Sequence, residues 1–211
     1  MFDLDGTITH RDTLAPYVFG YLIRHPWRLP LALGVLPACV RFVFGRADQG
    51  VVKSAFIRST LGGLKRPVLA AWTARFLVHL LARGVFADAL VRIGKHREHG
   101  DFLVLLSAST DLYVPEIGRA LGFAQVVCTG LSWNGQVLEG QLSTPNRRGE
   151  EKVRCVAQLR QQHPQRLIAA YGNAASDIAH LRMVDRPLLV NGGRAARALA
   201  QRYGIPQATW R

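Results

Sequence analysis

The feature that most restricts the fold of this chain is the alternation of short apolar runs with helical patterns after residue 100. Apolar runs of strand length occur at 102–107, 124–128, 167–171 and 187–190. Helical patterns follow them at 111–122, 149–163, 177–183 and 193–203. An Asn134-Gly135 pair within residues 131–142 predicts a β-hairpin. Strands that alternate with helices predict an α/β fold with a doubly wound parallel sheet.

The N-terminal region differs in its hydrophobic pattern from the rest of the chain. Met-Phe-Asp-Leu-Asp-Gly-Thr has the pattern of a very short strand that ends in a turn, which Gly6 permits. The following residues are helical in pattern, as in 66–84, and contain no convincing strand. A helical block between the first two strands predicts an inserted domain. The predicted division is a Rossmann-like α/β core of residues 1–12 and 100–211 with a helical cap of residues 13–99.

Charge and cysteine usage restrict the partners. The formal net charge is +13, and most of the positive charge comes from arginines spread along the chain. No basic arm, zinc-finger or RNA-binding signature is present, so we expect no nucleic-acid partner. Cys39, Cys128 and Cys155 lack metal-site spacing, and an odd number of cysteines predicts reduced thiols. With Asp3 where a signal peptide needs basic residues, the prediction is a cytoplasmic protein, with peripheral membrane association as the alternative.

Polar side chains follow the predicted strands at the points where ligands bind in parallel sheets. They are Asp3, Asp5, Ser107, Asn173 and Asp177, with Lys152 near the start of a helix. Close carboxylates repel each other unless a cation lies between them, and magnesium prefers such oxygen ligands. A phosphoryl group in transfer needs a nucleophile, hydroxyls, a lysine and a metal around it. The set therefore predicts phosphoryl chemistry.

Each of these features has an ordinary explanation when it is taken alone. Asp-x-Asp-Gly is a common turn sequence, and Ser107 is a suitable helix N-cap. Lys152 on its own is most often a solvated surface charge. Asn173 and Asp177 on their own form a plausible cap pair. Their order along the chain, each after an apolar run, favours the functional interpretation.

Four motifs then define a resemblance that covers essentially the whole chain. Residues 2–7 (FDLDGT), 105–109 (LLSAS), 149–152 (GEEK) and 171–177 (YGNAASD) resemble the motifs of the haloacid dehalogenase superfamily. The helical insert between the first two motifs is similar to that of the phosphoserine-phosphatase-like branch. The resemblance implies a magnesium-dependent phosphomonoester hydrolase that forms an aspartyl-phosphate.

The resemblance also implies roles for individual residues. Asp3 attacks phosphorus, and Asp5 protonates the leaving oxygen and then activates the hydrolytic water. Ser107 and Lys152 hold the phosphate oxygens. Asp12 matches in spacing an acidic residue that faces the substrate in phosphoserine phosphatases.

Magnesium is the cofactor that the resemblance implies. Its ligands are Asp3, the backbone carbonyl of Asp5, and the last motif with Asn173 and Asp177. The phosphoserine-phosphatase pattern has an aspartate where this chain has Asn173. An amide oxygen binds magnesium without a formal charge, so a weaker metal site is expected here.

The sequence of the cap does not identify the substrate. Its segment 17–45 combines aromatic and aliphatic residues with Arg24, Arg28 and Arg41. Packing within a cap favours a small phosphorylated metabolite such as phosphoserine, and this interpretation is slightly preferred. Contact with a membrane surface favours a lipid phosphate such as a phosphatidylglycerophosphate. A third hypothesis, motivated by Asn173 and the short first strand, is a catalytically weak phosphate-binding or regulatory protein.

Overall fold

The computed structural model describes all 211 residues and contains a parallel sheet. The sheet strands are β1 (Val104–Thr110), β2 (Gln125–Thr129), β5 (Ala169–Gly172), β6 (Arg186–Val190) and β7 (Gln207–Ala208). An antiparallel hairpin lies outside it, with β3 (Leu131–Asn134) and β4 (Val137–Leu142). Parallel strands need crossover connections, and the helices between them provide these. The predicted α/β fold and the predicted hairpin are confirmed.

The N-terminal segment occupies the centre of the sheet. Phe2 bridges in parallel to Leu105 of β1 and to Tyr171 of β5. Its backbone N–H donates to Val104 O at 2.8 Å, and its carbonyl accepts from Leu106 N at 2.8 Å. The order is therefore β2, β1, the Phe2 segment, β5, β6 and β7. This placement puts the residues that follow Phe2 at the carboxyl edge of both neighbouring strands.

In the core, helices alternate with strands, whereas the cap region consists of consecutive helices. The cap region contains α1 (Leu14–Arg24), a 3-10 segment (Pro26–Val35), α2 (Leu36–Val43), α3 (Gln49–Leu61), α4 (Arg66–Arg83) and α5 (Ala87–Glu98). The core contains α6 (Val114–Ala120), α7 (Glu150–Gln162), a 3-10 turn (Ala175–Asp177), α8 (Ile178–Leu181) and α9 (Arg194–Arg202).

The cap rests on the core through aromatic and backbone contacts. The ring of Tyr17 lies 4.6 Å from that of Tyr113, and Thr73 Oγ1 donates to Leu112 O at 3.0 Å. On the other side, α3 packs on the hairpin so closely that a Cβ at Gly140 would lie 2.7 Å from Arg58 Cα. The cap is therefore fixed at two places, with a space between them.

The helix α5 contacts the core sheet and the C-terminal residue. His96 Nε2 and the Tyr171 hydroxyl lie 2.6 Å apart, and Arg211 N donates to Asp88 Oδ2 at 2.8 Å. The division into a core of 1–12 and 100–211 and a cap of 13–99 stays a prediction. We propose that α5 belongs with the core.

Candidate active site

Three charged side chains meet at the carboxyl edge of the sheet. Asp3 directly follows the Phe2 bridge, Asp177 ends the 3-10 turn after β5, and Lys152 lies in the first turn of α7. Lys152 Nζ donates to Asp3 Oδ1 at 2.6 Å and to Asp177 Oδ1 at 2.8 Å. All three side chains are buried. The fold thus brings together residues that the sequence predicted for one site.

The three members of this cluster differ in how burial and their charged neighbours shift their pKa values. Burial raises the pKa of Asp3 to about 7, opposed by the Lys152 ammonium and reinforced by Asp177. Burial alone would also raise the pKa of Asp177, but Lys152 and other favourable partners outweigh it and lower that pKa. For Lys152, the two carboxylates outweigh burial and raise its pKa well above the usual range. The lysine therefore remains an ammonium at neutral pH.

Asp5 is held in one orientation by two hydroxyls and one amide. Asp5 Oδ1 accepts from Thr13 N at 2.8 Å and from Thr13 Oγ1 at 2.6 Å. Asp5 Oδ2 accepts from Ser109 Oγ at 2.6 Å. Burial, followed by the nearby charge of Asp12, raises the pKa of Asp5. A carboxyl group that is fixed and protonates more readily than usual suits general acid–base work.

The sequence predicted Ser107 after the end of a strand, but in the structure it lies inside β1. It is fully buried, and its hydroxyl accepts from Ser109 N at 3.0 Å. Ala108 and Ser109 line the cavity beside it. Ser109 was missed by sequence reasoning, although alternate residues of a strand share a face and the Ser-Ala-Ser spacing was visible.

Asp12 is exposed at the start of α1. Its Oδ1 accepts from Leu14 N at 3.0 Å and from Ala15 N at 3.4 Å, as a helix-capping carboxylate does. It also lines the cavity. The structure therefore gives Asp12 a structural role in addition to its place at the predicted site.

Asn173 touches the turn that follows Asp3. A Cβ built on Gly6 would lie 2.0 Å from Asn173 Nδ2, and Gly6 has a φ of +76°. Both the contact and the left-handed backbone require glycine at position 6. The backbone N–H of Asn173 donates to Asp177 Oδ2 at 3.1 Å. The loop with Asn173 is thereby fixed against the turn with Asp5.

The donor set fits a magnesium ion. Asp3 and Asp177 share the Lys152 ammonium, and Asp5 also lines the cavity, so three carboxylates lie at its polar floor. No group of three or more His, Cys, Asp or Glu side chains has the spacing of a metal cage. Magnesium does not need one, since one or two carboxylates and substrate phosphate oxygens are its usual ligands. Asp3, Asp177, the Asn173 amide and the Asp5 carbonyl are oxygen donors of the required kind.

The cavity above these residues has a volume of about 720 Å³ and two kinds of wall. The floor is polar and contains the carboxylates and Lys152. The wall from the cap is largely apolar, with Leu14, Phe19, Val35, Phe42, Val52 and Phe56. The cap therefore surrounds the part of a ligand that lies away from the carboxylates.

Lys53 is the charged side chain that α3 contributes to this cavity, and sequence reasoning missed it. Lys53 Nζ donates to Ala108 O and to Asn146 Oδ1, each at 2.6 Å. Burial lowers its pKa to about 8, although Asp5 and Asp12 oppose the change. Lys53 thus links the cap to the core at the edge of the polar floor.

Comparisons with known proteins agree with this geometry. The family model for haloacid dehalogenase-like hydrolases matches residues 1–182. Protein CicA of Caulobacter vibrioides (strain NA1000 / CB15N) is 31% identical over 193 residues, which cover 87% of this chain and 82% of CicA. A protein with unknown function from Bordetella pertussis Tohama I has a TM-score of 0.79 at 21% identity, over 98% of this chain and 95% of that one.

A solved phosphoserine phosphatase, in the form of a phospho-aspartyl intermediate analogue, has a TM-score of 0.66 at 14% identity. The match covers 94% of this chain and 88% of that one, and it shows a common fold. The predicted resemblance is confirmed by the family match and by this fold. The chain belongs to the haloacid dehalogenase-like hydrolases.

Proposed function

We propose that this hydrolase is a magnesium-dependent phosphomonoester phosphatase that acts through a phosphorylated Asp3. The observation that carries the proposal is the position of Asp3 at the floor of the cavity, 2.6 Å from the Lys152 ammonium. Asp5 lies two residues away with both carboxylate oxygens held. Nucleophile, charge stabiliser and acid–base group are therefore supplied by one side of one cavity.

The chemistry follows from these groups. An Asp3 oxygen attacks phosphorus, the bond from phosphorus to the ester oxygen breaks, and Asp5 gives its proton to the leaving oxygen. Water then attacks phosphorus, Asp5 takes a proton from it, and phosphate leaves with Asp3 restored. Lys152 compensates the charge on the phosphoryl oxygens in both steps. The contact of Ser107 with phosphate stays a prediction, since Ala108 and Ser109 form the wall there.

Magnesium, when bound, would neutralise charge on Asp3 and on the phosphoryl group. Asn173→Asp is expected to lower the magnesium concentration needed for half-maximal activity by roughly tenfold or more, a typical effect for residues next to a metal. Ester preference should not change, because the substrate wall comes from the cap. Calorimetric titration with magnesium gives a second readout, independent of turnover.

Two further variants give this test its controls. Asn146→Asp makes the same change elsewhere in the cavity and should leave magnesium affinity nearly unchanged. Asp177→Asn removes a predicted ligand and should weaken it. If Asn173→Asp leaves the titration unaltered while Asp177→Asn abolishes binding, Asn173 is not a ligand and only orients its neighbours.

For the substrate we propose a small phosphorylated metabolite, with phosphoserine as the model compound. Asp12, Lys53 and Arg148 in the cavity provide both signs of charge for a zwitterionic leaving group. The fold of phosphoserine phosphatases supports this choice. A lipid phosphate is the second candidate, favoured by the apolar cap wall. The structure has three free cysteines, which supports cytoplasmic placement of the reaction.

One screen separates these candidates. Hydrolysis of an aryl phosphate, phosphoserine, other soluble esters and detergent-dispersed lipid phosphates is measured with and without magnesium. We expect magnesium-dependent release of phosphate from the aryl phosphate and a preference among the others. Phosphate binding without turnover of any ester would support the regulatory hypothesis and contradict the proposed reaction.

Lys53 offers a test of substrate binding in the cavity. Lys53→Met keeps the side-chain stem and removes the ammonium, and we expect KM to rise by roughly tenfold or more, the usual size of a charged hydrogen bond. The change in kcat should be smaller, because Lys53 does not contact Asp3 or Asp5. Lys65→Met, at an exposed lysine, is the matched control and should leave both constants unchanged. A fall in kcat alone would contradict the binding role.

A further inference from the structure

The outer part of the cap, residues 23–46, leaves its large apolar side chains in solvent. The 3-10 segment Pro26–Val35 has no buried residue, and α2 buries only Ala38. Trp27 is 72% exposed, Val43 79% and Phe44 72%. We call residues 23–46 the cap surface. Ten of its large apolar side chains are exposed to solvent.

The exposure is concentrated and not scattered. Ten of the 20 exposed large hydrophobic residues of the protein lie within the cap surface, although it is about a ninth of the chain. Isolated exposed hydrophobics are normal on soluble proteins, whereas a contiguous set marks an interaction site. The cap surface is therefore a candidate interface.

The cap surface is attached to the protein through α3. At Gly34 it approaches α3 so closely that an added Cβ would lie 2.8 Å from Ser59 Cβ. The guanidinium of Arg28 donates to Thr60 O at 3.2 Å and to Gly62 O at 2.8 Å. These contacts fix the segment on α3, so Arg28 is used for attachment and the opposite side remains available.

The charge of the exposed side of the cap surface indicates which kind of partner it can bind. There is no acidic residue between Asp12 and Asp48, while Arg24, Arg41 and Arg46 are exposed within the cap surface. Aromatic and aliphatic groups beside arginines are typical of segments that lie in the interface of an anionic membrane. In a dimer formed through this surface, the arginines of one copy would face the same arginines of the other, because a two-fold interface pairs identical surfaces. The charge thus favours an anionic bilayer over self-association.

We propose that the cap surface docks on a bilayer that contains anionic phospholipid. Residues 26–43 are long and apolar enough to cross a membrane by length and composition, with 6% of the window buried. Two features favour lying on the surface instead: Pro30 within the 3-10 segment and the attachment to α3. Val35 and Phe42 of the cap surface also line the cavity, so docking brings the cavity next to the lipid.

The test is co-sedimentation with vesicles of phosphatidylglycerol and phosphatidylcholine in equal parts, compared with phosphatidylcholine alone. We expect binding to the anionic vesicles at low salt that weakens as salt rises. The double variant Val43→Glu, Phe44→Glu should lose it. Val78→Glu is the matched control, since Val78 is 68% exposed on α4 and lies outside the cap surface. Arg41→Gln with Arg46→Gln should weaken binding roughly 30-fold, about fivefold for each basic residue.

Two further measurements make the outcomes decisive. Thermal unfolding and hydrolysis of a soluble aryl phosphate should be unchanged in the Val43, Phe44 variant, since neither residue lines the cavity. A docking failure is thereby distinguished from a failure of the proposed phosphatase activity. No vesicle binding by the wild type at low salt, or an equal loss with Val78→Glu, overturns the proposal. The proposal is also overturned if the wild type does not bind vesicles but is a dimer in light scattering, and the double variant is a monomer.

Discussion

Asp3→Asn is expected to abolish phosphate release while the protein remains folded. The amide keeps the shape of the carboxylate but is a far weaker nucleophile, and removal of a nucleophile can cost roughly 10⁴-fold or more in kcat. Lys152 retains Asp177 as a partner at 2.8 Å, so no buried charge is left unpaired. Single-turnover assays with a chromogenic aryl phosphate measure the loss, and thermal unfolding checks the fold.

The control is the same change on the surface. Asp185→Asn alters an exposed aspartate that pairs with Arg160 at 3.0 Å, and it should leave turnover intact. A fluoride-based mimic of the phosphoryl group should bind the wild type and not the Asp3 variant. Turnover at the wild-type rate by Asp3→Asn would sink the covalent mechanism.

Asp5→Asn should slow turnover by roughly 10²-fold or more, the usual contribution of general acid–base catalysis. The loss should shrink for esters with good leaving groups, because these need little protonation as the ester bond breaks. The measurement is kcat/KM for a series of aryl phosphates whose phenols differ in pKa, because this constant reports the steps up to breakage of the ester bond and not the later hydrolysis of the aspartyl-phosphate. An equal loss across the series would contradict the acid role, although Asp5 could still contribute through its charge.

Much of the fold could be predicted because the hydrophobic pattern and the turn residues agree. The helix predicted at 66–84 is observed at Arg66–Arg83. The predicted hairpin is present, but its two-residue turn is Gly135-Gln136 and not Asn134-Gly135, since Asn134 pairs with Val137 at the end of β3. The 3-10 segment Pro26–Val35 was not foreseen as distinct from the surrounding helices, although Pro26 and Pro30 disfavour a regular α-helix. The two-residue strand β7 is too short to leave a period in the sequence.

The site was predictable only in part, because its supporting contacts join distant residues. The motifs identified Asp3, Lys152 and Asp177, which the structure does bring together. Ser109 reaches Asp5 across 104 residues, and Lys53 reaches Asn146 across 93. No local pattern reports such contacts. Ser107 was predicted at a strand end but lies in a strand interior, because an apolar run alone defines the boundary of a strand poorly.

The central position of Phe2 in the sheet has a consequence for the order of folding during synthesis. Phe2 pairs with β1 and with β5, and Asp3 meets Lys152 149 residues later in the chain. Contacts of such long sequence separation form slowly, because a large loop must close before they contribute. A nascent chain that ends before α7 therefore has the proposed nucleophile without its lysine. Under the proposed mechanism, the enzyme becomes active only after the C-terminal third has been made and has joined the sheet.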